Sequence, residues 1–291
     1  MSNAVATQAQ RPKFSVMIST PGYQKMINNT LRDPKKAQRF VASITSAVAT
    51  NPALQECDPA TILSGALLGE SLNLSPSPQL GQYYLVPFKN KAKYDRQGNL
   101  IKPETTDAQF VLGYKGYIQL ALRSGYYKHL NVIAVKAGEL VRFDPLTEEV
   151  EVNLNPDELA REDSATVGYL AMFEYLNGFR KTIYWSRDKM EAHALRYSKG
   201  YAAKKGYTFW EKDFDAMAFK TMLRQLISKW GVMSIELQTA FEADAVAAED
   251  GDYIQTPPAE LPEPVQYEPQ EGDGNEASGD TGDEQVNLND L

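Results

Sequence analysis

The distribution of charge and proline divides this sequence into a body that can fold and a C-terminal segment that cannot build a core. No lysine or arginine follows Lys229, and residues 242–291 contain 15 of the 38 acidic residues. From Glu249 onward, five prolines and then glycines and acids occur without apolar periodicity, which is the composition of disorder. We therefore predict a flexible N-terminus over residues 1–20, one folded domain over 21–246 and a disordered acidic tail over 247–291.

Leaving residues 242–291 out of the count reverses the sign of the net charge. The whole chain has a formal net charge of −8, yet residues 1–241 hold all 30 cations against 23 acids, an excess of seven positive charges. A basic body with an acidic tail is typical of a nucleic-acid-binding protein whose tail screens or competes for the binding surface. The alternative is a globular protein with a solubilising tail.

Composition also excludes several classes of protein. A single cysteine, Cys57, excludes an internal disulfide framework, and with only His129 and His193 in the chain a zinc site is not expected. We interpret Cys57 as a buried residue and both histidines as structural. The chain has no apolar signal segment and no run near the ~18 apolar residues of a membrane span. We expect a cytoplasmic protein without membrane contact.

The period of the hydrophobic pattern changes twice along the body. Helical spacing comes first, with Asp58 as an N-cap, over 21–31, 34–49 and 62–72. Strand patterns follow, with Asn177-Gly178 as a hairpin turn, over 83–88, 108–112, 130–136, 167–175 and 179–185. After Ser186, a predicted N-cap, the chain returns to helix, and further helices are predicted over 211–230 and over 235–246. This order predicts an α+β fold, with a mixed or antiparallel sheet that contains a hairpin and is flanked by helices.

No enzymatic signature is complete. The segment Gly65–Ser71 has small residues but lacks the lysine of a phosphate-binding loop, so ATP-driven chemistry is not expected. Acid pairs that could hold Mg²⁺ in a nuclease lie in predicted loops or at a helix start, where solvated carboxylates are common: Glu148 with Glu149, Glu162 with Asp163, and Asp213 with Asp215. We predict no catalytic residue, no metal ligand and no cofactor site.

The segment FVLGYKGYIQLALRSGYY, residues 110–127, is the first candidate for nucleic-acid contact. Gly113 and Gly116 bracket Tyr114 and Lys115 at a predicted strand-to-helix junction. Backbone N–H groups, a helix N-terminus and a lysine at one point suit a phosphate. Gln119 and Arg123 follow on one face of the same helix. The alternative is that the glycines serve only the turn.

The predicted helix 211–230 and the loop before it are the second candidate. Lys220 and Arg224 form a ridge beside an apolar stripe that we predict to be core: Phe219, Leu223, Leu226 and Trp230. The loop 196–212 combines lysines with aromatic rings, the means by which single strands are held through phosphates and base faces: Lys199, Lys204, Lys205 and Trp210. A flexible solvated loop is the alternative.

Three segments, in order and with consistent spacing, resemble the RecT family of phage and prophage recombinases, relatives of Red beta. They read GALLGESLNLSPSPQLGQYYLVPF over 65–88, QFVLGYKGYIQLALRSG over 109–125 and WEKDFDAMAFKTMLRQLISKWGVMSIELQTAF over 210–241. The shared residues of the third are Trp210, Asp213, Met217, Lys220, Thr221, Arg224, Ser234 and Glu236. The resemblance covers most of residues 55–245. It departs at 230–233, Trp-Gly-Val-Met, where many relatives have a proline.

The resemblance implies an ATP-independent protein that binds single-stranded DNA and anneals complementary strands, with a RecT/Red beta-like α+β core that forms rings or helical filaments on DNA. The implied partners are single-stranded DNA, the annealed duplex, further copies of the chain, a phage exonuclease and the host single-strand binding protein, in the cytoplasm of a bacterial host. It leaves open whether Mg²⁺ assists DNA binding or assembly. A non-annealing single-strand binder and a Mg²⁺-dependent nuclease remain the alternatives.

With this function, the candidate residues take specific roles. We expect phosphate contacts from Lys115, Arg123, Lys220 and Arg224, with Gln119 beside them and with Lys199, Lys204 and Lys205 on a mobile loop. Tyr114 and Trp210 are the predicted stacking residues.

Overall fold

Three of the N-terminal helices begin at the prolines that the sequence offers. The computed structural model describes residues 13–206 and 208–249, the side chains of 246–249 excepted. The first helices are α1 (Phe14–Ile18), α2 (Pro21–Leu31), α3 (Pro34–Thr50) and, after a short 3-10 helix, α4 (Pro59–Ser71). Proline stands at the N-terminus of α2, α3 and α4, where its missing N–H costs nothing. The carboxylate of Asp58 caps α4, as predicted, by accepting from Ala60 N.

The predicted boundaries of the folded body are partly tested. Phe14 and Ile18 are buried, so residues 14–18 of the predicted flexible N-terminus form a helix that packs into the core. The last helix continues to Glu249. Residues 1–12 and 250–291, which include most of the predicted disordered tail, lie outside the described residues.

The middle of the chain forms small sheets in which every pairing is antiparallel. β1 (Tyr83–Asn90) pairs with β4 (Thr105–Leu112), and between them lie the short β2 (Lys93–Tyr94) and β3 (Leu100–Lys102). After α5 (Tyr114–Arg123), β5 (Tyr127–Lys136), β8 (Thr166–Tyr175) and β9 (Arg180–Ser186) form a three-stranded sheet in that order. A hairpin of β6 (Leu140–Asp144) and β7 (Glu149–Val152), followed by α6 (Glu158–Asp163), separates β5 from β8. The prediction of an α+β fold with an antiparallel sheet is confirmed.

The predicted hairpin turn at Asn177-Gly178 is confirmed in its place, but its loop has three residues, 176–178, instead of the predicted two. Gly178 has a φ of 87°, which a glycine adopts without strain. The side chain of Asn177 accepts from Phe179 N, and Tyr175 N donates to Phe179 O at 2.8 Å. The turn therefore fixes the β8–β9 register.

The C-terminal third is helical: α7 (Arg187–Tyr197), α8 (Lys199–Ala202), α9 (Phe209–Lys212), α10 (Phe214–Trp230) and α11 (Ile235–Glu249). The prediction of one continuous helix over 211–230 is wrong. Asp213 leaves the helical region at φ −152° and instead caps α10 by accepting from Ala216 N. A capping box of Thr208 and Glu211 starts α9 separately.

Two hydrophobic clusters cover the two faces of the three-stranded sheet. The main core joins the helices to β1, β4 and one face of this sheet. A smaller cluster on the other face packs Val135, Leu170 and Tyr184 against Phe143 and Val150 of the β6–β7 hairpin. We did not predict this hairpin, because strands of four and five residues are too short to give a clear period. Within the described chain, no helix combines the length and apolar composition needed to cross a bilayer.

Candidate nucleic-acid interface

The GYKG segment lies at a strand-to-helix junction, as predicted. β4 ends at Leu112, Gly113 is the N-cap, and α5 begins at Tyr114. Both glycines lie close to the backbone of the loop that precedes β1. A Cβ on Gly113 would stand 2.2 Å from Gly81 O, and one on Gly116 would stand 2.2 Å from Gln82 O. The glycines are therefore required by packing, and this packing places exposed Lys115 at the start of α5.

Three partly exposed rings and two exposed lysines surround this junction, and we call them the GYKG face: Tyr84, Tyr114, Lys115, Phe209 and Lys212. The Tyr84 and Phe209 ring centroids are 6.1 Å apart. Lys115 Nζ lies 5.9 Å from the ring centroid of Tyr114, and Lys212 Nζ lies 6.0 Å from that of Phe209. Ammonium groups beside accessible rings can hold a phosphate and a base face together.

Burial raises the pKa of Tyr84, and the nearby Tyr114 and Asp213 add to this shift. The Tyr84 phenol is therefore neutral at physiological pH. A neutral ring offers a base an uncharged surface, whereas a phenolate would repel the phosphate next to it.

A row of aromatic contacts continues from the GYKG face into the body. The Tyr114 ring meets Phe219 edge-on at 5.7 Å, and Phe219 in turn lies 6.1 Å from Tyr169. The Arg187 guanidinium lies 3.7 Å from the ring centroid of Phe214 and donates to the Tyr169 hydroxyl at 2.9 Å. Sequence reasoning missed Tyr84, Phe209 and Arg187, because their proximity to the GYKG segment or its aromatic row depends on the fold.

The predicted phosphate contacts Lys220 and Arg224 lie in the interior. Their side chains are 10% and 11% exposed, and both pair with the carboxylate of Asp244 on α11. Lys220 Nζ stands 2.8 Å from Oδ1, and Arg224 Nη1 stands 2.7 Å from Oδ2. In this structure an internal carboxylate occupies the place that we expected a DNA phosphate to take. A phosphate contact by either residue remains a prediction, and the observed burial does not favour it.

Asp244 has further donors that complete a buried network. Leu112 N and the Tyr117 hydroxyl each donate to its carboxylate at 3.0 Å. Burial raises the pKa of Asp244, but Lys220, Arg224 and the hydrogen bonds outweigh burial and hold that pKa below its ordinary value. Burial lowers the pKa of Lys220 more than Asp244 restores it. An ionised Asp244 therefore joins α11 to β4, α5 and α10.

Arg123 and Gln119 lie on α5, close to the end of α4. The Arg123 guanidinium donates to Leu72 O at 2.7 Å and to Asn73 O at 3.2 Å. These contacts satisfy carbonyl groups at the C-terminus of α4, where a cation is favourable. Arg123 thus has a structural role, and its predicted phosphate contact remains untested. Gln119 is exposed beside it.

The lysines of the predicted loop are exposed, as a DNA contact would require: Lys199, Lys204 and Lys205. The segment is anchored at several points. The Ser198 hydroxyl caps α8, and the carboxylate of Glu211 accepts from Gly206 N at 2.8 Å. The Tyr201 ring packs against Trp210 and Phe214.

Trp210 is placed differently from our expectation. Only 2% of the residue is exposed, and its ring packs edge-on against Phe214 at 4.9 Å. Its ring therefore presents no face to a base in this structure. The exposed aromatic of α9 is its neighbour Phe209. In the four-residue helix α9, the ring of Trp210 points into the core and the ring of Phe209 is part of the GYKG face. Composition alone does not predict which of the two rings is buried.

The described residues do not assemble a metal site of at least three His, Cys, Asp or Glu side chains. Three of the six acids considered for a nuclease bind other groups, and one of them is the cap Asp213. Asp215 accepts from the Tyr169 hydroxyl at 2.6 Å, and Glu148 pairs with Lys181 at 2.5 Å.

Cys57 is buried, as predicted, and burial together with Asp107 raises its pKa to about 11. Burial lowers the pKa of His193 to about 4, so its imidazole is neutral.

Comparisons with known proteins agree with the motifs. The model of the RecT family matches residues 38–258. The chain is 39% identical over 236 residues to an uncharacterized protein, YqaK, of Bacillus subtilis strain 168. This alignment covers 81% of this chain and 73% of that protein. It is 29% identical over 227 residues to the protein RecT of Escherichia coli K12, covering 78% of each. The extent of the family match and the first of these relatives show that the chain belongs to the RecT family.

Proposed function

We propose that this protein binds single-stranded DNA and anneals complementary strands without nucleotide hydrolysis, as an oligomer assembled on DNA. Membership of the RecT family supports a role in recombination by strand annealing. We also propose that annealing is independent of ATP and that the protein assembles on DNA. We further propose that it acts in the bacterial cytoplasm and contacts a phage exonuclease and the host single-strand binding protein.

The observation that carries the proposal is the GYKG face. It presents exposed Lys115 and Lys212 beside the partly exposed rings of Tyr84, Tyr114 and Phe209. Lysines bind the phosphates of any sequence, and rings stack on any base, so such a face binds without reading sequence. Stacking and backbone contacts leave the pairing edges of the bases available to a second strand.

Assembly explains how a modest charge suffices. Residues 1–241 carry an excess of seven positive charges. Many subunits on one strand would sum their fields and multiply these contacts, so each subunit can bind weakly and still hold the strand. We propose rings or helical filaments as the assembled form, with Mg²⁺ as a possible aid to assembly.

The direct test adds two complementary labelled oligonucleotides in sequence to the full-length protein without nucleotide. Energy transfer between the labels reports duplex formation, with and without Mg²⁺, and a non-complementary strand is the control. We expect faster pairing that is specific to complementary strands. Tight binding with slowed pairing would make the protein a protective single-strand binder. A strand shortened only in the presence of Mg²⁺ would make it a nuclease.

The variant Lys115→Ala tests the site. The matched control is Lys25→Ala, because Lys25 is an exposed lysine on α2. Loss of one phosphate contact lowers the slope of log affinity against log salt by ~0.7 for single strands. We expect this smaller slope and weaker binding for Lys115→Ala only. Equal slopes for both variants and the wild type would remove Lys115 from the interface.

A further inference from the structure

A second basic and aromatic surface lies at the C-terminal end of α10, and we call it the Trp230 surface: Lys181, Trp185, Lys189, Lys229 and Trp230. Lys181 Nζ is 4.3 Å and Lys229 Nζ is 5.0 Å from the ring centroid of Trp230. Lys189 Nζ is 4.4 Å from the ring centroid of Trp185. β9, α7 and α10 therefore bring three ammonium groups and two indoles to one place.

The charge of this surface is only partly balanced. Glu148, in the turn of the β6–β7 hairpin, lies 2.5 Å from Lys181 Nζ and 4.0 Å from Lys229 Nζ. Burial lowers the pKa of Lys189, and Lys229 adds to the effect while Glu148 opposes it. One carboxylate balances one of three cations, so these four side chains retain a positive excess that suits an anion.

Trp230 is held in place with its ring accessible. We predicted it as core, but the residue is 39% exposed, whereas Leu223 and Leu226 on the same stripe are buried. The Tyr175 hydroxyl donates to Trp230 O at 3.2 Å and accepts from Val232 N at 2.6 Å, which fixes the end of α10. A fixed, exposed indole beside lysines matches a nucleotide, because the ring meets a base while the ammoniums meet its phosphate.

The Trp230 surface is separate from the GYKG face. Phe219, which contacts Tyr114, and Trp230 both lie on α10. Eleven residues of helix at about 1.5 Å each place Trp230 ~16 Å farther along the axis. One subunit thus presents two sites of similar chemistry on one rigid helix.

We propose that the Trp230 surface binds the second DNA strand, with its backbone on exposed Lys189 and Lys229 and a base on Trp230, while the GYKG face holds the first; Lys181, whose side chain is 16% exposed, stays paired with Glu148. This inference rests on the proposed annealing function. It places the binding of the second strand on residues outside the GYKG segment.

The test uses the full-length protein loaded with a labelled single strand, to which a complementary strand with a second label is added. Fluorescence anisotropy measures binding of the first strand. Energy transfer measures pairing, and a salt challenge measures retention of the second strand. The variants are Trp230→Ala and Lys229→Ala. The Lys229 side chain is 59% exposed in the wild type. Tyr126→Ala, at a residue that is 54% exposed, is the control for loss of a surface ring, and melting temperatures verify folding.

We expect Trp230→Ala to bind the first strand like the wild type and to lose about 5- to 150-fold in second-strand retention, the equivalent of one stacked base. Lys229→Ala should weaken retention and lower its salt slope. The inference is overturned if both variants retain the second strand like the wild type, or if they lose first-strand binding as Lys115→Ala does. A wild type that binds one strand but does not accelerate pairing refutes the annealing function itself, and the inference with it.

Discussion

Removing the carboxylate of Asp244 should be among the most destabilising single changes in this protein. Asp244 is 3% exposed and accepts from four donors: Leu112 N, the Tyr117 hydroxyl, Lys220 and Arg224. Asp244→Ala removes the carboxylate that pairs with two buried cations. Breaking a buried pair by removing one partner costs about 3–5 kcal/mol, because the remaining charge is uncompensated.

This free energy is large enough to measure by thermal unfolding. For a domain of this size, about 1 kcal/mol shifts Tm by ~2–4 °C. We therefore expect Asp244→Ala to lower Tm by about 6–20 °C. The matched control is Glu242→Ala, which removes a carboxylate from the exposed side of the same helix, where it accepts from Gln238 Nε2 at 3.1 Å. This control should change stability by no more than ~0.5 kcal/mol.

A double-mutant cycle separates the ion pairs from the packing. In a Lys220→Met background one of the cations is absent, so Asp244→Ala should cost less than in the wild type. Equal Tm changes for Asp244→Ala and Glu242→Ala would refute the buried network. They would also restore Lys220 and Arg224 as candidates for phosphate contact.

Further predictions concern pH, packing and the tail. Because the pKa of Asp244 is lowered on folding, its contribution is present above the unfolded pKa and is lost as pH falls below about 4; Asp244→Asn should flatten the Tm–pH curve there, and an unchanged curve would contradict this. Gly116→Ala places a Cβ 2.2 Å from Gln82 O and should cost about 1–3 kcal/mol in chemical denaturation, whereas Gly22→Ala, with nothing within 4 Å, should not destabilise. Ending the chain at Glu249 removes 12 acids and no cation, so binding to single-stranded DNA should stay the same or tighten at low salt; weaker binding would show that the tail contributes to the interface.

The element order was predictable because its determinants are local. Prolines at helix starts, the caps Asp58 and Ser186 and the turn at Asn177-Gly178 act over a few residues, and the structure confirms each. The break at Asp213 was missed because two short helical patterns in phase read as one longer helix. The hairpins β2–β3 and β6–β7 were missed because strands of two to five residues are too short to give a clear period.

The candidate site was predictable where exposure follows from position at a helix start. Lys115 and Tyr114 lie at the junction that the GYKG spacing indicates, and the RecT family was evident from three motifs taken together. Trp210 and Trp230 show the limit of this reasoning. Both are large aromatics near helix ends, yet one is buried and the other exposed, because burial depends on which neighbours cover the ring.

The sequence by itself determined the basic body, the acidic C-terminal segment, the order of helices and strands, and the family. The tertiary structure decided which cations are exposed and which are buried. Lys220 and Arg224 form a ridge in the sequence pattern, but both pair with the carboxylate of Asp244, which follows them by 24 and 20 positions and also accepts from the Tyr117 hydroxyl, 127 positions before it. A helical pattern specifies the direction of a side chain relative to its own helix. Only the fold specifies the charge that lies opposite.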